Sequence, residues 1–412
     1  MRELNRLGIT SAIDAGGGFQ NYPDDYQIID TLAREGKLTV RIAYNLFTQN
    51  SGRELDDFKA WTQTVKPGQG DAETKGMYRH NGAGEMLVFS AADFEDFKEP
   101  RPDLPDALED QLYGVVKHLA ENRWPFRIHG TYDESISRFL DVFERVNAEV
   151  PFDGLHWFID HAETITQRNI DRIQALGGGI AVQHRMAYQG EAFVARYGIK
   201  SAEETPPIRR MLDTGVPVGM GSDATRVASY NPWVGIYWLV TGKTLSGLRL
   251  YPPNSRLDRE SAVRLFTEGS SWFSTETGKK GALKVGQYAD FTVLPRDMME
   301  IPEDELKDLY SVLTVVGGQI VHASEDFKPL APAPLPISPD WSPVRQFGGY
   351  QHRKATRPVT GNAILDAISQ HLCACGKACQ IHGHAHGGSY ASDVPVSSLR
   401  DFWGVLGCAC WA

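Results

Sequence analysis

Three short apolar segments of this chain each end on a residue that can bind a metal ion or move a proton. Trp124-Pro-Phe-Arg-Ile-His129 and His156-Trp-Phe-Ile-Asp-His161 end on histidine, and Val216-Pro-Val-Gly-Met-Gly-Ser-Asp223 ends on aspartate. Neutral imidazoles and carboxylates aimed at one point can hold a divalent metal ion and leave a position open for water. Such an ion lowers the pKa of its water towards neutrality, and a nearby carboxylate then acts as general base. The pattern therefore predicts metal-assisted hydrolysis.

We expect His129 and His161 to bind the metal, and Asp223 to take a proton from the water and pass it to a leaving nitrogen. The structural alternative is that each histidine simply bonds to a backbone carbonyl at the end of its strand. For one histidine alone that alternative is the better interpretation. Three such strand ends in one chain favour the catalytic one.

The three segments have the continuous apolar character of parallel strands that are buried on both faces. In α/β enzymes the chemistry lies at the carboxyl ends of such strands. Short apolar runs alternate with helical stretches through the first 240 residues, which predicts βαβ units and favours a (β/α)8 barrel of TIM type. Residues 47–103 show no clean period, and we expect a loop or lid there.

After residue 258 the pattern changes to one helix over 261–273, an expected hairpin over 281–294 and a further β pair over 312–322. These short strands predict a small β-sandwich portion beside the barrel. The expected division of the chain is a barrel (1–258), a last barrel helix with the small β domain (259–328), a proline-rich linker (329–343) and a Cys/His-rich tail (344–412).

Composition excludes several classes of protein. With 412 residues, 42% hydrophobic and 23% charged, the chain is long enough for a full core and ordinary for a globular protein. A net charge of −10 gives no basic surface for nucleic acid or an anionic membrane. No apolar run approaches the roughly 20 residues of a membrane helix. All five cysteines lie beyond residue 370, which favours a reducing, cytoplasmic compartment.

Taken together, these segments resemble the amidohydrolase superfamily, and specifically its amidohydrolase-3 branch, which includes N-substituted formamide deformylases. The resemblance rests on the strand ends at His129 and His161 and on three motifs, Gly8-Ile-Thr-Ser-Ala-Ile-Asp-Ala-Gly16, Gly219-Met-Gly-Ser-Asp-Ala-Thr225 and Gly281-Ala-Leu-Lys-Val-Gly-Gln-Tyr-Ala-Asp-Phe-Thr-Val-Leu294. It implies a barrel with one or two divalent metal ions, zinc by preference, that hydrolyses a carbon–nitrogen bond. By the same resemblance, His129 and His161 match the fifth- and sixth-strand ligands, and Asp223 matches the eighth-strand aspartate.

Two departures from the family pattern stand out. Nothing before Gly8 supplies the His-x-His pair with which the family opens its first strand, so we expect a member that lacks its first portion. The fourth-strand ligand is also unclear. Glu85 is the candidate, because a strand could follow it, and Lys75 is the second choice. For either residue, an ordinary charge on a solvated loop is an equally good interpretation.

Weaker candidates surround these positions. His184 and Arg226 are candidate substrate-binding residues, although His184 could equally hold the neighbouring loop. Thr131 and Tyr132 follow a ligand position and could bind the scissile carbonyl, or could serve the surface. The tail offers a second candidate metal site, with soft ligands that suit zinc or copper but with no standard zinc-finger spacing; its residues are Cys373, Cys375, Cys379, His382, His384, His386, Cys408 and Cys410.

The sequence therefore predicts a metal-dependent hydrolase that acts on a small amide-like substrate, with no nucleic-acid or membrane partner and with homo-oligomerisation left open. One alternative is a catalytically impaired remnant that binds metal through its tail. The other is a different hydrolase, such as a phosphotriester hydrolase, or an isomerase on the same barrel, because a fold does not select a substrate.

Overall fold

The larger sheet of the structure, a computed structural model that describes residues 1–16, 21–94, 97, 100–225 and 227–334, is parallel throughout. Within these residues it has seven strands, which lie side by side in chain order. They are β1 (Ser11–Asp14), β2 (Arg41–Leu46), β3 (Tyr78–Ala83), β4 (Phe126–Gly130), β5 (Trp157–His161), β6 (Gly179–Gln183) and β7 (Val218–Gly221). The order and direction of the strands confirm the predicted α/β architecture of TIM-barrel type. No described pairing joins β7 to β1, so the sheet is open between them.

Helices precede, connect and follow the strands of this sheet. They are α1 (Arg2–Arg6), α2 (Gln27–Arg34), α3 (Glu54–Thr64), α4 (Leu108–Glu121), α5 (Asp133–Glu149), α6 (Gln167–Ala175), α7 (Met186–Tyr197), α8 (Ile199–Ala202), α9 (Ile208–Thr214), α10 (Pro232–Thr241), α11 (Arg259–Arg264) and α12 (Ser270–Phe273). A π-helical turn, Leu265–Gly269, joins α11 to α12, so the expected helix over 261–273 is present with an irregular centre. Among the described residues, no helix combines the length and the apolar character that crossing a membrane requires.

The spacing of apolar residues explains how a helix such as α5 packs against the sheet. Ile136, Phe139, Leu140, Phe143 and Val146 recur at intervals of three or four residues, which places them on one face of the helix. All five are fully buried. Their burial contributes about 1.5–3 kcal/mol for each side chain and holds α5 over β4 and β5.

The expected loop over residues 47–103 is wrong in two places. Helix α3 and strand β3 both lie in this region. The period of β3 is hidden because Tyr-Arg-His-Asn-Gly-Ala mixes polar and small residues, yet all six are buried between neighbouring strands. Asn81, for example, donates a hydrogen bond to the Phe273 carbonyl 3.0 Å away. Polar residues that bond inside the barrel removed the apolar signal on which the prediction depended.

A separate antiparallel sheet is formed by β8 (Phe291–Val293), β9 (Leu313–Val316) and β10 (Gln319–Ala323). The expected β pair over 312–322 is confirmed, since β9 pairs with β10. The expected hairpin over 281–294 is wrong. These residues contain one strand, β8, and it pairs with β9 instead. The turns before β8 are held by an ion pair. In it, Arg41 of β2 donates hydrogen bonds of 2.6 and 3.0 Å to Asp290.

Candidate functional site

Three of the predicted residues meet at the carboxyl ends of neighbouring strands. His129 and His161 lie at the ends of β4 and β5, which are paired so that Gly130 faces His161. Glu85 follows β3 by two residues, and its carbonyl accepts a hydrogen bond from the His129 N–H at 2.9 Å. The pairing of β3 with β4 and of β4 with β5 thereby brings Glu85 and His161, which are 76 positions apart in sequence, to one edge of the sheet.

The expectation that a strand follows Glu85 is wrong, because β3 precedes it. A short 3₁₀ helix, Phe89–Ala91, comes after it. This order places Glu85 at the carboxyl end of its strand, where barrel enzymes hold their functional groups. Lys75 precedes β3 instead, in an exposed turn at the opposite edge of the sheet.

The donor atoms of this cluster are close together. Oε2 of Glu85 lies 3.3 Å from Nε2 of His161 and 3.9 Å from Nδ1 of His129. One ligand atom from each residue falls within 4.8 Å of the other two. The imidazole rings are 4.3 Å apart between centroids, and both histidines are buried.

This donor set fits a divalent metal ion. Two imidazole nitrogens and one carboxylate oxygen form a set that zinc enzymes use, with a further position left for water. Nδ1 of His129 is buried and has no hydrogen-bond partner, although it faces the Glu85 carboxylate. An imidazole nitrogen that is buried beside a carboxylate and makes no hydrogen bond can serve as a ligand atom.

The side chains of the cluster shift one another's pKa values. Burial raises the pKa of Glu85, but contacts with His129 and His161 outweigh burial and hold that pKa well below its usual value. Burial lowers the pKa of His129, but contacts with Asp93 and Glu85 prevail and raise it to about 10. The cluster therefore attracts a positive charge, whether it is carried by protons or by a metal ion.

Asp223 lies just after β7, at the same edge of the sheet. Desolvation raises the pKa of its carboxyl group, and the nearby charge of His161 opposes that shift. The residue is nevertheless exposed to solvent. Asp223 has a left-handed backbone with φ of 50°, and His161 has φ of 79°. Left-handed residues other than glycine cluster at functional sites, where surrounding structure imposes them.

The secondary candidates differ in their surroundings. His184 is fully buried, and its Nε2 lies 2.9 Å from the Ser229 carbonyl, so its contacts match the interpretation that it holds the neighbouring loop. Thr131 is buried, with its hydroxyl 3.2 Å from Nε2 of His129, and Tyr132 is buried as well. Arg226 and the whole Cys/His-rich tail lie outside the described residues.

Sequence reasoning missed three charged side chains near the cluster. Asp93 lies 2.9 Å from His129. Arg127 and Asp160 form a buried ion pair on β4 and β5. Asp160 stands directly before the proposed ligand His161 and Arg127 stands two positions before His129, and a charged residue inside such an apolar run is a usable signal of inward-facing charge. Asp93 has no such signal, because it lies in the stretch without a clear period.

The family model described as "Amidohydrolase family" matches residues 1–322. An N-substituted formamide deformylase from Arthrobacter pascens is 28% identical over 193 residues, which is 46% of this chain and 35% of that protein. A putative amidohydrolase, YtcJ, from Bacillus subtilis strain 168 is 26% identical over 55% of this chain and 44% of its own length. The chain thus spans less than half the length of the curated relatives it matches.

A solved structure shares the fold. An uncharacterized metal-dependent hydrolase from Pyrococcus furiosus superposes with a TM-score of 0.54 at 21% identity, over 72% of this chain and 58% of that one. The family match extends from α1 through the small antiparallel sheet and includes every residue of the cluster. This chain belongs to the amidohydrolase family.

Proposed function

We propose that this chain is a metal-dependent hydrolase that cleaves a non-peptide carbon–nitrogen bond of an amide-like small molecule. The observation that carries the proposal is the convergence of Glu85, His129 and His161, whose ligand atoms lie within 4.8 Å of one another at the carboxyl edge of the sheet. The curated relative named as an N-substituted formamide deformylase supports formamides as the first substrates to test.

Each residue has a defined task in this proposal. Glu85, His129 and His161 hold a divalent ion, zinc by preference, because two imidazoles and a carboxylate match its chemistry. When bound, the ion polarises water and lowers its pKa towards neutrality. Asp223 accepts a proton at its carboxylate and delivers it to the leaving nitrogen. Asp223 is exposed just after the end of β7 and is therefore accessible to water and substrate.

Metal binding is tested on the full chain after removal of metal with a chelator and titration with ZnCl₂. We expect Glu85→Gln and His161→Asn to lose zinc at this site, because each removes one of three donors. His118→Gln is the matched control, since His118 bonds to Thr62 on the outer helices and touches none of the three residues. Unchanged zinc affinity in both site variants would contradict the proposal.

The tail offers competing ligands, so a second variant replaces His382, His384 and His386 with glutamine. Zinc that is lost from this variant and retained by His161→Asn would support the remnant hypothesis instead. Turnover is measured on a panel of an N-substituted formamide, a cyclic amide, a carboxylic ester and a phosphotriester. Hydrolysis of the esters alone would overturn the proposed bond class, and the metal result would stand separately.

A further inference from the structure

The side chain of Asp93 is completely buried beside His129. Its Oδ1 lies 2.9 Å from Nε2 of His129. Its Oδ2 accepts hydrogen bonds from the backbone N–H groups of Thr131 and Tyr132, at 2.9 and 3.1 Å. One carboxylate therefore links the loop after β3 to the ligand position on β4 and to the start of α5.

This contact assigns the two nitrogens of the His129 ring. An ionised carboxylate can only accept hydrogen bonds, so when the doubly protonated ring gives up a proton to bind a metal ion, the nitrogen that faces Asp93 keeps its hydrogen and the opposite nitrogen loses it. The opposite nitrogen, Nδ1, is the one that faces Glu85 and has no hydrogen-bond partner. Phe94 packs edge-on against the same ring, 4.1 Å away between centroids, and restricts its rotation.

We propose that Asp93 is a positioning residue that fixes the orientation and tautomer of His129, so that Nδ1 is presented to the cation beside Glu85. The inference rests on the proposed function, because it assigns a purpose to the nitrogen that faces the cluster. Carboxylates that bond to the far nitrogen of a ligand histidine typically change metal affinity about 10- to 100-fold.

A merely structural role is the alternative, since Asp93 also satisfies two backbone N–H groups at the start of α5. Asp93→Asn separates the two roles. The asparagine carbonyl can take the place of Oδ2 and keep the bonds to Thr131 and Tyr132. Its amide group then faces His129 and donates to Nε2, which forces the hydrogen onto Nδ1 and blocks that nitrogen as a ligand.

The experiment uses the full chain with histidine labelled by ¹⁵N, in wild type, Asp93→Asn and Asp258→Asn. Asp258 is the matched control, because it bonds to the Ser261 N–H at the start of α11 and touches none of the residues around His129. The readouts are Zn²⁺ affinity, the visible spectrum after Co²⁺ loading, thermal unfolding without metal, and the ring N–H signals of His129. Asp93→Ala provides the variant that loses both roles.

We expect Asp93→Asn to weaken Zn²⁺ binding about 10- to 100-fold and to alter the Co²⁺ spectrum, with little change in unfolding of the metal-free protein. Wild-type affinity and spectrum in Asp93→Asn would overturn the inference. If wild type binds no metal at these residues, the proposed function fails on its own. The ring N–H signals of metal-free His129 then decide the inference. A protected Nε2–H signal in wild type that disappears in Asp93→Asn supports the inference, and a wild type without that signal overturns it.

Discussion

Arg127 on β4 donates two hydrogen bonds of 2.6 Å to the two carboxylate oxygens of Asp160 on the neighbouring strand β5. Arg127 lies two positions before His129, and Asp160 lies directly before His161. The pair therefore joins the two strands that carry the proposed ligands. Burial raises the pKa of Asp160 against the attraction of Arg127, which shows that dehydration of the carboxylate offsets part of the benefit of pairing.

Removing one member of this pair is expected to leave a buried charge without a partner. We expect Arg127→Met to lower the free energy of unfolding by about 3–5 kcal/mol. The double variant Arg127→Met/Asp160→Leu is expected to recover much of that loss, because neither charge of the pair then remains. Urea unfolding of the metal-free protein measures both. A double variant that is no more stable than Arg127→Met would show that the pair is not coupled.

The role of Asp223 is tested by Asp223→Asn. We expect turnover to fall about 100- to 10,000-fold, since the amide cannot accept the proton, whereas zinc content stays that of wild type. Asp213→Asn, an exposed position on α9, is the control. Steady-state kinetics with the best substrate of the panel provide the measurement, and wild-type turnover in Asp223→Asn would remove this residue from the mechanism.

Gly219 of β7 lies in the motif that leads to Asp223, and its close packing predicts a loss of stability on substitution. A Cβ atom on Gly219 would lie 2.6 Å from ring atoms of Phe273, which is too close for any side chain. Gly219→Ala is therefore expected to cost about 1–3 kcal/mol through overpacking. Gly114→Ala in α4 is the control, because its Cβ would meet Leu55 at an ordinary 3.4 Å. Equal stability of the two variants in urea would contradict this account.

Burial of His184 predicts a loss of stability in acid. Burial lowers the pKa of His184 from 6.5 to about 4, so the unfolded chain binds the proton more readily than the folded one. Stability is then fully present above pH 6.5 and is lost as pH falls towards 4, by about 2 kcal/mol between pH 7 and 5. We expect His184→Gln to remove this part of the pH dependence in urea unfolding. An identical slope in variant and wild type would exclude His184 as its source.

The elements that carried a clear apolar period could be predicted, and the ones with polar interiors could not. The ends of β4 and β5 follow from short apolar runs, and β6 lies at its expected bounds of 179–183. Strand β3 escaped prediction because its buried Arg79, His80 and Asn81 find partners outside the strand, which only the folded chain provides.

The sequence by itself determined the parallel α/β class, the family and the pair of histidines at adjacent strand ends, because these depend on local periodicity and on residue type. The tertiary structure decided which carboxylate joins them. Glu85 is brought to His161 by strand pairing across 76 residues, and Asp93 reaches His129 from a stretch with no local signal. Contacts between residues far apart in the chain depend on how the strands associate, and residue type alone does not encode that distance.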